Sequence, residues 1–225
     1  LDGNAAASAR EVLEGRSAFR PFEQPGGIGL DPWSARVTFA DNHDTWRLRG
    51  DLDSFPAARL ALLVALTVDG IPCVYYGTEQ DFSGGNDPAN REPLWWSDYA
   101  TDGETFRWAA RLIRVRKRYD ALRRGEMRFT WTSDRTGDEE DAGVVAFERT
   151  EGEAYALVVI NAQGNHPSAT VFEGAAMAVG VPAGTVLADA LTGDRFTVEP
   201  DGTVDVPVDA FQVRALVREA EYEAF

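Results

Sequence analysis

Hydrophobic and polar positions follow two different grammars along this chain, one before residue 125 and one after it. Residues 5–15 place Ala9, Val12 and Leu13 on one face of an alanine-rich helical stretch, which a Pro/Gly loop through Pro25 ends. Residues 36–40 read as a short strand closing on Asp41, Asn42, His43 and Asp44. Ser54 is a helix N-cap with Pro56 in the first turn, and the apolar run from Ala57 to Val68, broken only by Arg59, predicts a buried helix. Gly70 stops that helix and residues 71–76 read as a buried strand, followed by a long polar loop over 77–99. Asp102 then caps a helix that presents Phe106, Ala109, Ala110, Ile113 and Val115 at helical spacing and fades near Tyr119.

Strand, helix, strand, helix is the βαβα order of a parallel sheet. From Gly125 onward the runs become short and β-rich, at 144–149, 155–161, 169–172, 185–189, 195–198, 203–206 and 211–217, with Gly, Pro and Asp between them. That spacing predicts an antiparallel β-sandwich. The chain therefore divides into an α/β unit over residues 1–124, a sandwich over 125–218 and an acidic tail over 219–225. Two parallel strands with their helices cannot cover both faces of a sheet. The α/β unit thus calls for further strands upstream or for a second copy of the chain.

Composition narrows the partners. The net charge of −15 argues against nucleic acid and anionic membranes. Lys117 is the only lysine among 22 basic residues, a usage that fits salt adaptation and an arginine-favouring genome equally well. A hydrophobic fraction of 44% suits a globular core, and no apolar run is long enough to span a membrane. Leu1 opens the chain without a signal core, which leaves secreted and cytoplasmic locations equally open. The single cysteine, Cys73, allows no intrachain disulfide and no Cys-rich metal site, and its apolar run predicts an inert buried thiol.

Two segments carry candidate chemistry. An imidazole between acids at the C-terminal end of a strand is where a barrel enzyme places reacting groups, although Asp, Asn and His are also ordinary turn formers. The loop containing Gly84, Gly85, Asn86, Asp87, Asn90, Arg91 and Glu92 offers donors and acceptors together, as sugar hydroxyls require, or else forms a salt-bridged surface loop. Trp46, Trp95 and Trp96 suit sugar stacking or core packing.

In this order and spacing the two segments resemble the α-amylase family of glycoside hydrolases. Residues 39–44 (FADNHD) are similar to the motif at its seventh barrel strand, and residues 70–79 (GIPCVYYGTE) to its eighth. Residues 84–92 (GGNDPANRE) resemble the following loop in fungal-type and maltogenic members, and Leu1-Asp2-Gly3 the approach to the sixth helix. The resemblance implies the last quarter of a (β/α)8 barrel followed by a β-sandwich domain, and a substrate of α-1,4-glucan or maltooligosaccharide. By the same resemblance Asp44 stabilises the oxocarbenium-like transition state and His43 binds the same glucose. Asp87 and Arg91 line a more distant donor subsite, and Trp46 is a stacking candidate. Arg47 matches a position associated with chloride in the anion-dependent members.

A retaining mechanism also needs a nucleophile and an acid/base carboxylate, which in this family lie on earlier strands, the nucleophile two residues after an arginine. No Arg-x-Asp occurs ahead of Phe39. Both groups, and the calcium ligands frequent in such enzymes, are therefore expected upstream, and this chain by itself is expected to be inactive. It supplies no cofactor site of its own. Transglycosylation rivals hydrolysis, because water and a sugar hydroxyl compete for one intermediate. A non-catalytic glucan-binding frame, or a sandwich that binds starch independently, is the alternative from another class.

Overall fold

The computed structural model describes residue 10, residues 35–52 and residues 54–224. The helical stretch at 5–15 (Arg10 apart), the Pro/Gly loop after it and the Leu1–Gly3 resemblance lie outside the described residues. Strand β1 (Val37–Thr38) leads through the Asp41–Asp44 turn into a short helix, α1 (Leu48–Leu52), and a longer one, α2 (Phe55–Thr67). Strand β2 (Ile71–Pro72) returns parallel to β1, pairing Val37 with Ile71. The Ser54 hydroxyl accepts the Ala57 N–H and caps α2, with Pro56 in the first turn. At Gly70 a Cβ would sit 2.6 Å from the Arg36 carbonyl oxygen and φ is +94°, so only glycine lets the two strands close.

Both parallel strands are shorter than the sequence suggests. Val37, Phe39, Ile71 and Cys73 share one face, and all four are exposed. The predicted burial of Cys73 is therefore corrected. Its run is apolar, but among the described residues nothing covers that side of a two-stranded sheet.

Helix α3 (Glu104–Arg118) is followed by α4 (Asp120–Arg124). Gly103, not Asp102, occupies the N-cap of α3, with no side-chain cap bond. The buried stripe of α3 is Thr105, Ala109, Leu112, Val115 and Arg116, while Ile113 is exposed. It is rotated from the apolar stripe read in the sequence because Arg116 turns inward to serve α2. Its guanidinium donates to the carbonyls of Leu66, Val68 and Gly70, each at 2.8 Å. Arg149, from the β-rich half, donates to Thr67 O at 2.7 Å and Gly125 O at 3.0 Å. Two buried cations thus satisfy carbonyls at the C-terminal end of α2, where the helix dipole favours positive charge. Burial lowers the Arg116 pKa to about 10, so it stays charged at neutral pH, and nearby Asp69 opposes that shift.

The β-rich half contains β3 (Glu126–Thr132), β4 (Val144–Glu151), β5 (Ala154–Asn161), β6 (Val171–Phe172), β7 (Ala175–Ala178), β8 (Val186–Asp189), β9 (Arg195–Thr197), β10 (Thr203–Val204) and β11 (Gln212–Arg218). Every pairing within it is antiparallel. One sheet runs β3-β4-β5-β11-β8-β9 and a second runs β10-β7-β6. Strands β3 and β7 were not among the expected runs.

The large sheet is buried on both faces, with the period-two alternation of a strand deciding which core each residue joins. Phe147, Val158, Ile160, Val213, Ala215 and Val217 pack with the leucines of α2 and α3. Ala146, Leu157, Val159, Leu187 and Leu216 pack against Met177, Val204 and Val206 of the smaller layer. The arrangement is helix, sheet, sheet, and the apolar cluster crosses residue 125 without a break. Nor is the acidic tail free. Glu223 pairs with Arg118 at 2.7 Å, Glu219 with Arg195 at 2.5 Å, and Tyr222 packs on the core.

Candidate functional site

The turn after β1 is anchored from below. Asp41 is 3% exposed. One of its carboxylate oxygens accepts the Leu48 N–H at 3.0 Å, holding the start of α1, and the other accepts the Thr78 hydroxyl at 2.6 Å. Thr78 begins the short turn after β2, so a single buried carboxylate fixes the two strand ends to each other. Above it, Asn42 Oδ1 accepts the Asp44 N–H at 2.8 Å. The side chains of His43 and Asp44 emerge into solvent, 56% and 74% exposed, with Nε2 of His43 3.4 Å from Oδ1 of Asp44. Asp44, Thr45, Trp46 and Asn86 line one shallow depression.

Arg47 sits beneath the turn with its side chain fully buried. It donates from Nε to Glu92 at 2.9 Å and from Nη1 to the Tyr76 carbonyl at 2.6 Å. Its guanidinium lies over the rings of Tyr75 and Tyr76, 4.2 and 4.9 Å from their centroids. The chloride role suggested by the resemblance does not fit this arrangement. Glu92 already supplies the negative charge that the guanidinium requires, and would repel an anion beside it. Arg47 instead braces the turn against the loop.

That loop folds back on itself so tightly that a Cβ at Gly84 would lie 1.9 Å from the Ala89 carbonyl oxygen. The second oxygen of Glu92 accepts the N–H groups of Ser83 and Gly84 at 3.1 and 2.8 Å, and Gly84 O accepts the Arg47 N–H at 3.0 Å. Asn90, fully buried, donates from Nδ2 to the carbonyls of His43 at 2.9 Å and Thr45 at 2.7 Å. Arg91 donates to Asp87 at 2.5 Å and reaches His43 O at 3.5 Å, so these two predicted subsite residues form an exposed ion pair beside the turn. Burial raises the Asp81 pKa, an effect opposed by the hydrogen bond from Thr105.

The structure thus gathers His43, Asp44, Asp87 and Arg91 at one edge, with Trp46 in the adjoining depression. Trp46, Trp95 and Trp96 are 53%, 65% and 71% exposed, which takes all three out of the core of the described residues. His166 lies elsewhere, its ring nitrogens facing the Gly137 and Pro167 carbonyls. Asp41, Asn90 and Glu92, named in the sequence only as members of their segments, complete the site with bracing roles that the sequence did not assign. Each acts on a partner more than 35 positions away, so no local spacing signals it. Among the described residues no group of three His, Cys, Asp or Glu is placed to hold a metal ion, and no helix is long and apolar enough to cross a membrane. An exposed carboxylate beside an imidazole, on a rigid rim with further donors, can bind hydroxyls and stabilise positive charge developing above it.

No protein-family model matches the chain. Among its relatives is a cyclomaltodextrin glucanotransferase of Bacillus sp. (strain 1-1), 32% identical over 183 residues that make up 80% of this chain and 23% of that protein. An α-amylase of Niallia circulans is 31% identical over 173 residues, covering 76% of this chain and 30% of the relative. The chain therefore spans less than a third of the length of these relatives. Of the solved structures, an α-amylase of Anoxybacillus superposes with a TM-score of 0.72 at 26% identity, over 92% of this chain and 41% of that one.

Proposed function

The chain belongs to the α-amylase family of glycoside hydrolases, and from that premise we propose that it forms the C-terminal part of a retaining enzyme acting on α-1,4-glucans. In this reading residues 1–124 are the last quarter of a (β/α)8 barrel and residues 125–218 its C-terminal sandwich. Asp44 is the carboxylate that stabilises the oxocarbenium-like transition state, and His43 binds hydroxyls of the same sugar. Those bonds strengthen as positive charge develops on the ring, which is what lowers a barrier rather than merely tightening binding. Asp87 and Arg91 hold a glucose unit further along the chain, and Trp46 offers an indole face from the adjoining depression.

The observation that carries the reading is the placement of Asp44 and His43. Both side chains are free to meet a ligand, yet their backbone is tied on two sides, by Asn42 at the Asp44 N–H and by Asn90 at the His43 carbonyl. The nucleophile and the acid/base are supplied by earlier strands, so this chain alone hydrolyses nothing. Hydrolysis is the principal reaction, and transglycosylation is the second reading because one of the relatives carries the name glucanotransferase.

Maltooligosaccharide turnover by the 225-residue chain and by a protein extended upstream tests this directly. Activity is expected only in the extended form, and product analysis separates shortened oligosaccharides from lengthened or cyclic ones. Asp44→Asn in the extended protein should lower turnover on the order of a thousandfold while leaving the fold intact, since an amide carries no charge to offset the cation. Turnover within tenfold of the parent would remove Asp44 from this role.

A further inference from the structure

We propose that Asn90 is a positioning residue that sets the orientation of Asp44, an inference resting on the transition-state role assigned to Asp44 above. Asp44 has little of its own to hold it. Its carboxylate is 74% exposed and, among the described residues, meets only His43, itself mostly exposed, at 3.4 Å. Its direction must therefore come from the backbone. The residues before and after it, His43 and Thr45, both offer their carbonyls to one amide nitrogen, Nδ2 of Asn90, which donates to them at 2.9 and 2.7 Å. The grip spans 47 and 45 positions of sequence and fixes the segment on which Asp44 stands.

The orientation of that amide is dictated by its partners, since reversing it would turn an oxygen toward two carbonyl oxygens. The consequence is an orphan. Among the described residues, Asn90 Oδ1 is buried without a hydrogen-bond partner, and so is Nη2 of Arg47, the other side chain beneath the turn. Buried polar atoms left unmatched cost stability. Similar orphans occur elsewhere among the described residues, at Arg111 and Thr132, but those of Asn90 and Arg47 belong to the side chains that brace one exposed carboxylate. Arg91, next in sequence, reaches the same His43 carbonyl at 3.5 Å, which links the Asp87–Arg91 ion pair to the turn.

The test compares Asn90→Ala and the near-isosteric Asn90→Asp with Asp44→Asn, singly and combined, in the upstream-extended protein. Each Asn90 variant is expected to lower kcat about 10- to 100-fold with KM changed by less than about threefold. Combined with Asp44→Asn, either should add less than about threefold to the loss that Asp44→Asn causes alone, because Asn90 acts through Asp44. Amide exchange of the 225-residue chain provides a readout independent of activity. Asn90→Ala should speed exchange at Asp44 and Arg47 while the amides of β4 and β5 stay protected. Losses that multiply fully in the double variants overturn the proposal, as does unchanged exchange at Asp44 and Arg47. If Asn90→Ala exposes the core strands as well, Asn90→Asp decides, and parental kcat in that variant overturns the proposal. Should Asp44→Asn keep full turnover, the functional reading fails by itself, and the exchange at Asp44 and Arg47 alone judges whether Asn90 holds the turn.

Discussion

At the scale of the residue, charge is used in two opposite ways. Asp44, His43, Asp87 and Arg91 stand in solvent, where a ligand can displace water from them, whereas Arg47 and Asp41 are buried and spend their charge on the frame. Arg91→Ala should therefore weaken long maltooligosaccharides more than short ones. A five- to tenfold rise in KM for the longer substrates, with short ones changed less than about twofold, is the size expected of one lost charged hydrogen bond. Substrate kinetics across chain length measure it, and equal losses at all lengths would contradict a distal subsite. The FADNHD and GGNDPANRE segments were legible because exposed chemistry leaves its residue types in the sequence. The role of Asn90 within the second segment was not, since it lies in two carbonyls that only the fold brings near. Cys73 misled for the converse reason, as an apolar neighbourhood in sequence does not show which side of a strand is covered.

Away from the site, Asp194 accepts hydrogen bonds from Arg214 and Thr192, which hold its carboxyl below the ordinary carboxylate range. A depressed pKa contributes stability that is complete above the unfolded value of about 3.9 and is lost as pH falls through the folded one. Asp194→Asn should accordingly lower Tm by a constant amount above about pH 5, and the gap from the parent should close on further acidification. Thermal melts across pH check this, and a gap that widens in acid would reverse the assignment. Solvent exposure of this side chain keeps the effect small.

Elements were read most surely where local chemistry and packing agree. Ser54, Pro56 and Gly70 delimit α2 with side-chain and backbone signals that need no tertiary knowledge. Helix α3 lies in the expected segment with Ala109 and Val115 buried as expected, but its buried stripe is turned away from Ile113 and takes in Arg116, polar by composition and buried by its bonds to α2. Strand β7 (Ala175–Ala178) escaped because small residues give no hydrophobic contrast, although Met177 at its centre is fully buried. Strand β3 has apolar Met127, Phe129 and Trp131 at alternate positions, a pattern that could have been read. The carbonyl end of α2 gives an element-scale prediction. Arg149→Ala leaves Thr67 O and Gly125 O without this donor in a buried setting, at a cost of about 3 kcal/mol. Denaturant melts should show it, and a change below 1 kcal/mol would mean that water replaces the guanidinium.

At the scale of the whole molecule, the helices and the six-stranded sheet share one apolar cluster, so the break in sequence grammar at Gly125 is not a break in packing. The sheet is covered by helices on one side and by the three-stranded layer on the other, and its strands accordingly read as continuous apolar runs such as 154–160. The division into α/β and antiparallel halves was legible from turn spacing and strand length. That the two halves are stitched together was not, because the stitches are buried side chains from distant positions.

Arg149 gives that stitching a practical meaning for recombination. Gly125 looks like the natural crossover point for exchanging the β-rich half between relatives. Yet the guanidinium that closes α2 travels with the β-rich half, while the carbonyl of Thr67 stays behind. A chimera joined at Gly125 would keep Arg116 on its carbonyls but leave that of Thr67 without this donor, just ahead of β2, unless the incoming half brings its own donor to that spot. Compatibility between halves is therefore set less by the joint than by one cation lying 24 residues beyond it.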